Sequence, residues 1–291
     1  MKTKSVSPAL PALDRLLACA EAAARAGGAH ALKHNHRRCI ITETFAHDIK
    51  LKLDRECQDV AERTIRKCFP RAVILGEENT AEPVATDMLW IIDPIDGTIN
   101  YFHGLPLWCC SVAVQVRGRV AAGAVYAPML EECYTVHRER RATCNGKPLA
   151  VSATRRLKDA VILTGLNKRN DLLKHSINLF QKLSRKTQKL RIMGSAALDI
   201  CQVAAGRADA FFESGIYLWD VAAASLIVEQ AGGHAEIMAT GPHYQLRIIA
   251  SNGCLHTPLR RILIDPDSPP QNSPRHLAIG RNNGCTPKQG A

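Results

Sequence analysis

An apolar run that ends in two acids three residues apart constrains this chain more than any other feature. In Trp90-Ile91-Ile92-Asp93-Pro94-Ile95-Asp96-Gly97-Thr98-Ile99-Asn100 the first three residues read as a buried strand, and Asp93 and Asp96 as carboxylates on the turn that follows it. Pro94 fixes φ between the acids, Gly97 opens backbone angles that side chains resist, and Thr98 stands where it would cap a following helix. A stiff, acidic corner open at its mouth is how a protein presents carboxylates to metal ions.

The rest of the chain supplies a large core around that corner. It has 291 residues, 46% of them hydrophobic, enough for one large domain or two closely packed halves. Leu13, Leu16, Leu17, Ala20 and Ala24 recur at helical spacing, whereas Asp14, Arg15, Glu21 and Arg25 interrupt the apolar stretch well short of a membrane span. The N-terminus therefore reads as an amphipathic helix rather than a signal peptide, and a cytoplasmic location is the expectation. Residues 48–69 read as a strand end leading into a charged helix that Pro70 closes, and Val73-Ile74-Leu75 as a short strand delivering Glu77 and Glu78. Alternation from Ser111 to Tyr126 about Arg117-Gly118 predicts a hairpin, and Asn145-Gly146 a second turn. Further on, 160–164 reads as a strand, 171–185 and 194–205 as helices, and 208–213 as a strand with Glu213 at its end. Val221 to Gln230 reads as an apolar helix preceded by Asp220 and stopped by Gly232-Gly233. The expected organisation is an α+β N-terminal half carrying the acidic corner (1–152), a C-terminal half completing the site (153–264), and a disordered tail (265–291) rich in Pro, Asn, Gly and Gln.

Charge and cysteine content narrow the function classes. The net charge is +11, and five of the ten residues from Lys182 to Arg191 are basic, but no aromatic residue is interleaved with them and the chain is only 5% aromatic. Stacking on bases therefore has little support, and attraction of anionic small substrates explains the same sign. Eleven cysteines include no CxxC pair, and His and Cys do not cluster at zinc-ligand spacing along the chain. Reduced thiols are expected rather than a disulfide framework or a zinc centre.

Three separate segments end an apolar stretch in acid: Glu77-Glu78, Asp93 with Asp96, and Asp220. Each has a plain reading when taken alone, as a solvated loop, a turn and a helix N-cap. Together they make an all-oxygen donor set, which suits Mg²⁺.

The joint pattern resembles the inositol monophosphatase family of magnesium-dependent, lithium-sensitive phosphatases. The likeness spans roughly Leu13 to Leu263. It rests on Gly76-Glu77-Glu78, the run from Trp90 to Pro106, GSAALDICQVAAGRADAFFE from Gly194, and WDVAAASLIVEQAGG from Trp219. The resemblance implies a layered αβαβα sandwich of the α+β class and, as is common in the family, a homodimer. It implies two or three Mg²⁺ ions, with Glu77, Asp93 and the Ile95 carbonyl holding the first and Asp93, Asp96 and Asp220 the second. Thr98 and Asp54 would orient the attacking water beside Glu77. Backbone amides of Gly97 and Thr98 would take the phosphate, and Gly194, Ser195, Ala196 and Glu213 the alcohol.

The chain departs from the family pattern at Leu51, where threonine is usual between Asp48 and Asp54, at Ala224, where glycine is frequent, and at Tyr217, often histidine. The expected activity is hydrolysis of inositol monophosphate, a small phosphorylated polyol. The nearest alternatives keep the chemistry on fructose 1,6-bisphosphate, histidinol phosphate or a 3′-phosphonucleotide. An alternative of another class is an RNA- or protein-binding factor on the same fold, with no membrane role and nucleic acid disfavoured by composition.

Overall fold

The computed structural model describes residues 11–45, 49–79, 86–166 and 170–264. Asp48 and the 265–291 segment, for which a disordered tail is expected, lie outside them. The first layer holds helices α1 (Leu13–Lys33) and α2 (Lys52–Cys68), joined through a hairpin of β1 (Ile41–Thr44) and β2 (Ile49–Leu51). α1 buries Leu16, Cys19, Ala20, Ala23, Ala24, Gly27, Gly28 and Ala31, so its contact stripe is mostly small side chains. The helix consequently lies close on the sheet beneath: a Cβ on Gly27 would come within 2.9 Å of Cys110 Sγ.

That sheet has seven strands in sequence order: β3 (Val73–Gly76), β4 (Met88–Asp96), β5 (Cys109–Val116), β6 (Arg119–Ala127), β7 (Glu132–His137), β8 (Thr143–Cys144) and β9 (Lys147–Pro148). β3 and β4 are parallel and the rest antiparallel, and the short helix α3 (Thr98–His103) leaves the end of β4. Arg117 and Gly118 both have positive φ, and so do Asn145 and Gly146, as the two tight turns require. Strand alternation splits the core. Trp90, Ile92, Cys110, Val112 and Val114 face α1 and α2, whereas Ile91, Ala113 and Val125 face the opposite layer.

The middle layer is α5 (Ala196–Ala204) and α6 (Leu218–Gln230). In α6 every residue from Leu218 to Val228 except Asp220 is buried, the mark of a helix packed on all sides. The fourth layer is a five-stranded sheet ordered β11 (Lys189–Arg191), β10 (Val161–Thr164), β12 (Ala210–Tyr217), β14 (Gln245–Ser251) and β13 (His234–Thr240). Its Phe211, Ile248 and Ala250 pack on the middle layer. Ile162, Phe212 and Ile249 pack on the last layer, α4 (Asn170–Ser184) and α7 (His256–Leu263). The molecule is thus an α+β sandwich of five alternating layers. No described helix is long and apolar enough to cross a membrane.

The distance between the first sheet and the middle layer is set at Gly123, where an added Cβ would meet Ala223 Cβ at 2.9 Å and the Val112 carbonyl at 3.2 Å. Gly123→Val should therefore overpack this layer and cost about 1–3 kcal/mol. The expected readout is a lower midpoint in urea unfolding with an unchanged slope, and an unchanged midpoint would refute the close contact.

Candidate active site

β4 does not stop before its acids. It runs to Asp96, so the two carboxylates sit on the strand itself rather than on a turn beyond it. The reason is Pro94, which offers no N–H to the ladder: Asp93 pairs with Ser111 and Asp96 with Cys109, three steps on β4 against two on β5. On a regular strand residues three apart point to opposite faces. The extra residue of this bulge brings Asp96 back to the side of Asp93, and both line one cavity. Ile95 anchors the bulge from below, its side chain buried among Leu51, Leu53, Tyr101 and Trp108 and its N–H donating to Asp93 Oδ1 at 3.1 Å.

Gly97 follows with φ of 93°, and an added Cβ there would meet the Leu107 carbonyl at 2.9 Å and the Gly194 carbonyl at 3.1 Å. Glycine is required twice over, for the left-handed backbone and for the close approach. Gly97, not Thr98, takes the N-cap position of α3, and the Thr98 hydroxyl donates to the Ile95 carbonyl at 3.0 Å instead of capping.

Asp54 and Asp220 reach the site by a shared local device. Each is the third residue of its helix, and each accepts from the backbone N–H three residues earlier: Asp54 from Leu51 and Asp220 from Tyr217, both at 2.7 Å. Asp220 is therefore inside α6 and not its N-cap. Asp54 is not part of the cavity wall, but its charge acts on Glu77, which is.

Asp96 is held by the C-terminal half. Its Oδ2 accepts from Ser195 Oγ at 2.5 Å and from Ala197 N at 2.7 Å, and its Oδ1 from Ala196 N at 3.1 Å. These donors form the start of α5, where free N–H groups favour an anion. Ser195 and Ala196, which the resemblance assigns to the alcohol, thus hold Asp96 and also line the cavity with Gly194. Asn100 ties the same two halves, its side-chain amide donating to the carbonyls of Leu107 at 2.7 Å and Met193 at 2.8 Å.

Glu213 is not at a strand end. β12 continues to Tyr217 through a register shift between Ser214 and Ile216, where Gly215 has φ of 81°. The bulge places Glu213, Gly215 and Tyr217 on the same cavity. One acidic lining residue was not foreseen from the sequence, Asp199. Its signal was available, since it is the only charged residue in α5, whose turns are otherwise buried and apolar.

The cavity encloses about 350 Å³ and gathers Glu77, Asp93, Asp96, Asp199, Glu213 and Asp220. Burial pushes the carboxyls of Glu77 and Asp93 well above the usual carboxylate range, and neighbouring acids push further: Asp220 and Asp54 on Glu77, Glu77 and Asp96 on Asp93. Burial raises Asp96 as well, although its Ser195, Ala197 and Ala196 donors oppose the shift. Burial lifts Glu213 to about 8. Among the described residues these acids meet little compensating charge. Lys50, the nearby base acting on Glu77, is bonded to Glu78 at 3.1 Å. An all-oxygen, strongly anionic donor set of this kind fits a hard divalent cation such as Mg²⁺.

Tertiary structure also makes a cluster that chain spacing conceals, His234, Glu236 and His256. There Glu236 already has its charge met, accepting from Arg260 Nε at 2.9 Å and lying 2.8 Å from His256 Nε2. The ten described cysteines are free.

Comparison with known proteins identifies the family. Residues 12–263 match the inositol monophosphatase family. The chain is 36% identical to the Nus factor SuhB of Pseudomonas aeruginosa over 251 residues, 82% of this chain and 92% of that one. It is 33% identical to the inositol monophosphatase of Dictyostelium discoideum over 228 residues, 76% and 84% of the two chains. The fold is similar to that of the Thermotoga maritima IMPase, with a TM-score of 0.77 at 34% identity, covering 86% of this chain and 96% of that one. This chain belongs to the inositol monophosphatase family.

Proposed function

We propose that the chain is a Mg²⁺-dependent phosphomonoester hydrolase acting on inositol monophosphate. The observation that carries this reading is the single cavity in which Glu77, Asp93, Asp96 and Asp220 converge beside the Gly97-Thr98 turn, with Glu213 and the Gly194–Ala196 segment completing the wall. Glu77, Asp93 and the Ile95 carbonyl would hold one ion, and Asp93, Asp96 and Asp220 a second, with a third beside Glu77. Bound there, Mg²⁺ supplies positive charge against the phosphate and lowers the pKa of water.

The protein's own groups do the rest. Amides of Gly97 and Thr98 receive phosphate oxygens, which suits unpaired N–H groups at a helix start. Thr98, whose hydroxyl donates to the Ile95 carbonyl, orients the attacking water in line with the scissile P–O bond, and Asp54 supports it from behind the cavity wall. Water adds to phosphorus, the bond to the alcohol oxygen breaks, and that oxygen leaves with a proton. Glu213 accepts from a hydroxyl of the alcohol. Phosphate monoester hydrolysis is among the slowest uncatalysed reactions, so charge placed around the phosphoryl group is the main requirement.

A second reading has its own observation. Lys182, Arg185, Lys186, Lys189 and Arg191 are all exposed along the end of α4 and on β11, and several relatives carry the name Nus factor. A role in binding RNA or a protein would use this face without the cavity. It requires RNA binding that falls steeply with salt and is lost when Lys182, Arg185 and Lys186 are neutralised; salt-insensitive binding, or none, removes it.

Asp93→Asn tests the enzyme reading. Phosphate release from inositol monophosphate in Mg²⁺ should drop by at least about 10²-fold, as expected when charge stabilisation of a transition state is removed. A variant that turns over at the parent rate would sink the assignment. Stability supplies an independent check. The folded carboxyls of Glu77 and Asp93 titrate above their ordinary values of 4.5 and 3.8, so their contribution to stability is full below those values and is lost as pH rises through the higher folded ones. In chelator, the melting temperature should fall between about pH 5 and pH 8, and Mg²⁺ should raise it more at pH 8 than at pH 5. Equal Mg²⁺ effects at both values would contradict a carboxylate site.

A further inference from the structure

Two carboxyl groups in the cavity wall, outside the proposed metal ligands, have no hydrogen-bond donor among the described residues. One is Glu213. The other is Asp199, only 3% exposed, on a helix face shared with Ser195 and Ala196 one turn earlier. Every other acid of the wall accepts from a backbone or side-chain donor or stands in the ligand set: Asp93 from Ile95, Asp96 from Ser195, Ala196 and Ala197, Asp220 from Tyr217, with Glu77 beside them. Buried carboxyl groups without donors are costly unless something that binds supplies them.

Position says what that something is. Asp199 stands one turn beyond Ser195 and Ala196, which hold Asp96, so it lies on the α5 side of the cavity. With the phosphoryl group at the Gly97-Thr98 end, Asp199 and Glu213 are left to the alcohol. Hydroxyl groups, which both donate and accept, suit two carboxyl groups that share this cavity with Thr164 and Tyr217. The backbone leaves room for them. Gly165 and Gly215 contribute no side chain to this wall, and a Cβ on Gly165 would overlap the Glu213 carboxylate. Glu213 can hold its place only because residue 165 is glycine.

We propose that Asp199 is a specificity-determining residue that reads alcohol hydroxyls together with Glu213, so that the leaving group must carry hydroxyls on neighbouring carbons. The inference rests on the phosphatase reading and deepens it. It places polyol phosphates ahead of phosphates whose alcohol is a bare ring, with aminoalkyl phosphates as the competing occupant that the test separates. A simple aryl phosphate uses only the phosphoryl end of the site, and a polyol phosphate uses both ends. Loss of Asp199 must therefore weigh on the second and spare the contrast between aryl and aminoalkyl esters.

The test compares wild type, Asp199→Ala and Asp199→Asn on myo-inositol 1-phosphate, phenyl phosphate and phosphoethanolamine in Mg²⁺. In Asp199→Ala the ratio of kcat/KM for inositol phosphate to that for phenyl phosphate should fall about 10- to 100-fold, mainly through KM, the size expected for hydrogen bonds to a charged group. Asn, which keeps an acceptor oxygen, should recover part of it. Gly165→Ala should lower the same ratio by displacing Glu213. A constant ratio, a parallel loss on all three esters, or a largest loss on phosphoethanolamine would overturn the proposal. Saturation-transfer NMR of free myo-inositol on the same proteins separates this from hydrolysis. If wild type turns over no ester, the phosphatase reading fails, and an inositol signal lost only in the Asp199 and Gly165 variants still supports hydroxyl reading. Equal inositol signals in all of them would refute it.

Discussion

The seat of Asp96 on the first turn of α5 is the contact on which the rest of the site depends. A buried carboxylate would be expensive alone, and three donors from Ser195, Ala196 and Ala197 offset that cost while leaving the group in the cavity wall. The same contact joins the bulged end of β4 to the C-terminal half. Asn100 and the glycine pair Gly97 and Gly194 let the two backbones come together at that point. Catalytic geometry and inter-half packing are therefore one feature, and a change that loosens either loosens both.

The other acids obey a common rule: each is fixed by a short local bond before it meets its neighbours. Asp93 accepts from Ile95, Asp54 from Leu51 and Asp220 from Tyr217. Helix starts and a strand bulge do this work because they leave N–H groups outside regular ladders. The result is a pocket whose shape is made by the backbone and whose electrostatics work against the isolated protein. Burial and mutual repulsion both oppose ionisation of Glu77 and Asp93, and a divalent cation reverses both effects.

Much of this was legible in the chain. The stripe from Leu16 to Ala24, the hairpin at Arg117-Gly118 and the apolar helix before Gly232 follow from periodicity and turn chemistry, and each lies where it was expected. The acids of the cavity other than Asp199 were recognisable from their residue types and their places in the chain. Boundaries at the site were not. β4 and β12 both outrun their expected ends, because bulges at Pro94 and Gly215 let pairing resume beyond a break that reads in sequence as a stop. Thr98 and Asp220 were expected to be caps, but each stands inside its helix, because Gly97 and Tyr217 take the cap positions.

The sequence by itself determined the mixture of helices and strands and the oxygen-rich character of the site, since periodicity decides burial and residue type decides ligand chemistry, while the layering was implied by the family resemblance. Only the tertiary structure decided that Asp93 and Asp96, three apart on a strand, share a face, because a bulge is a property of pairing between strands and not of either one. Only the fold, likewise, brought Asp199 and Glu213 to one wall, neither with a hydrogen-bond donor among the described residues. They lie on different elements, and whether a buried carboxyl finds a partner depends on every segment packed around it.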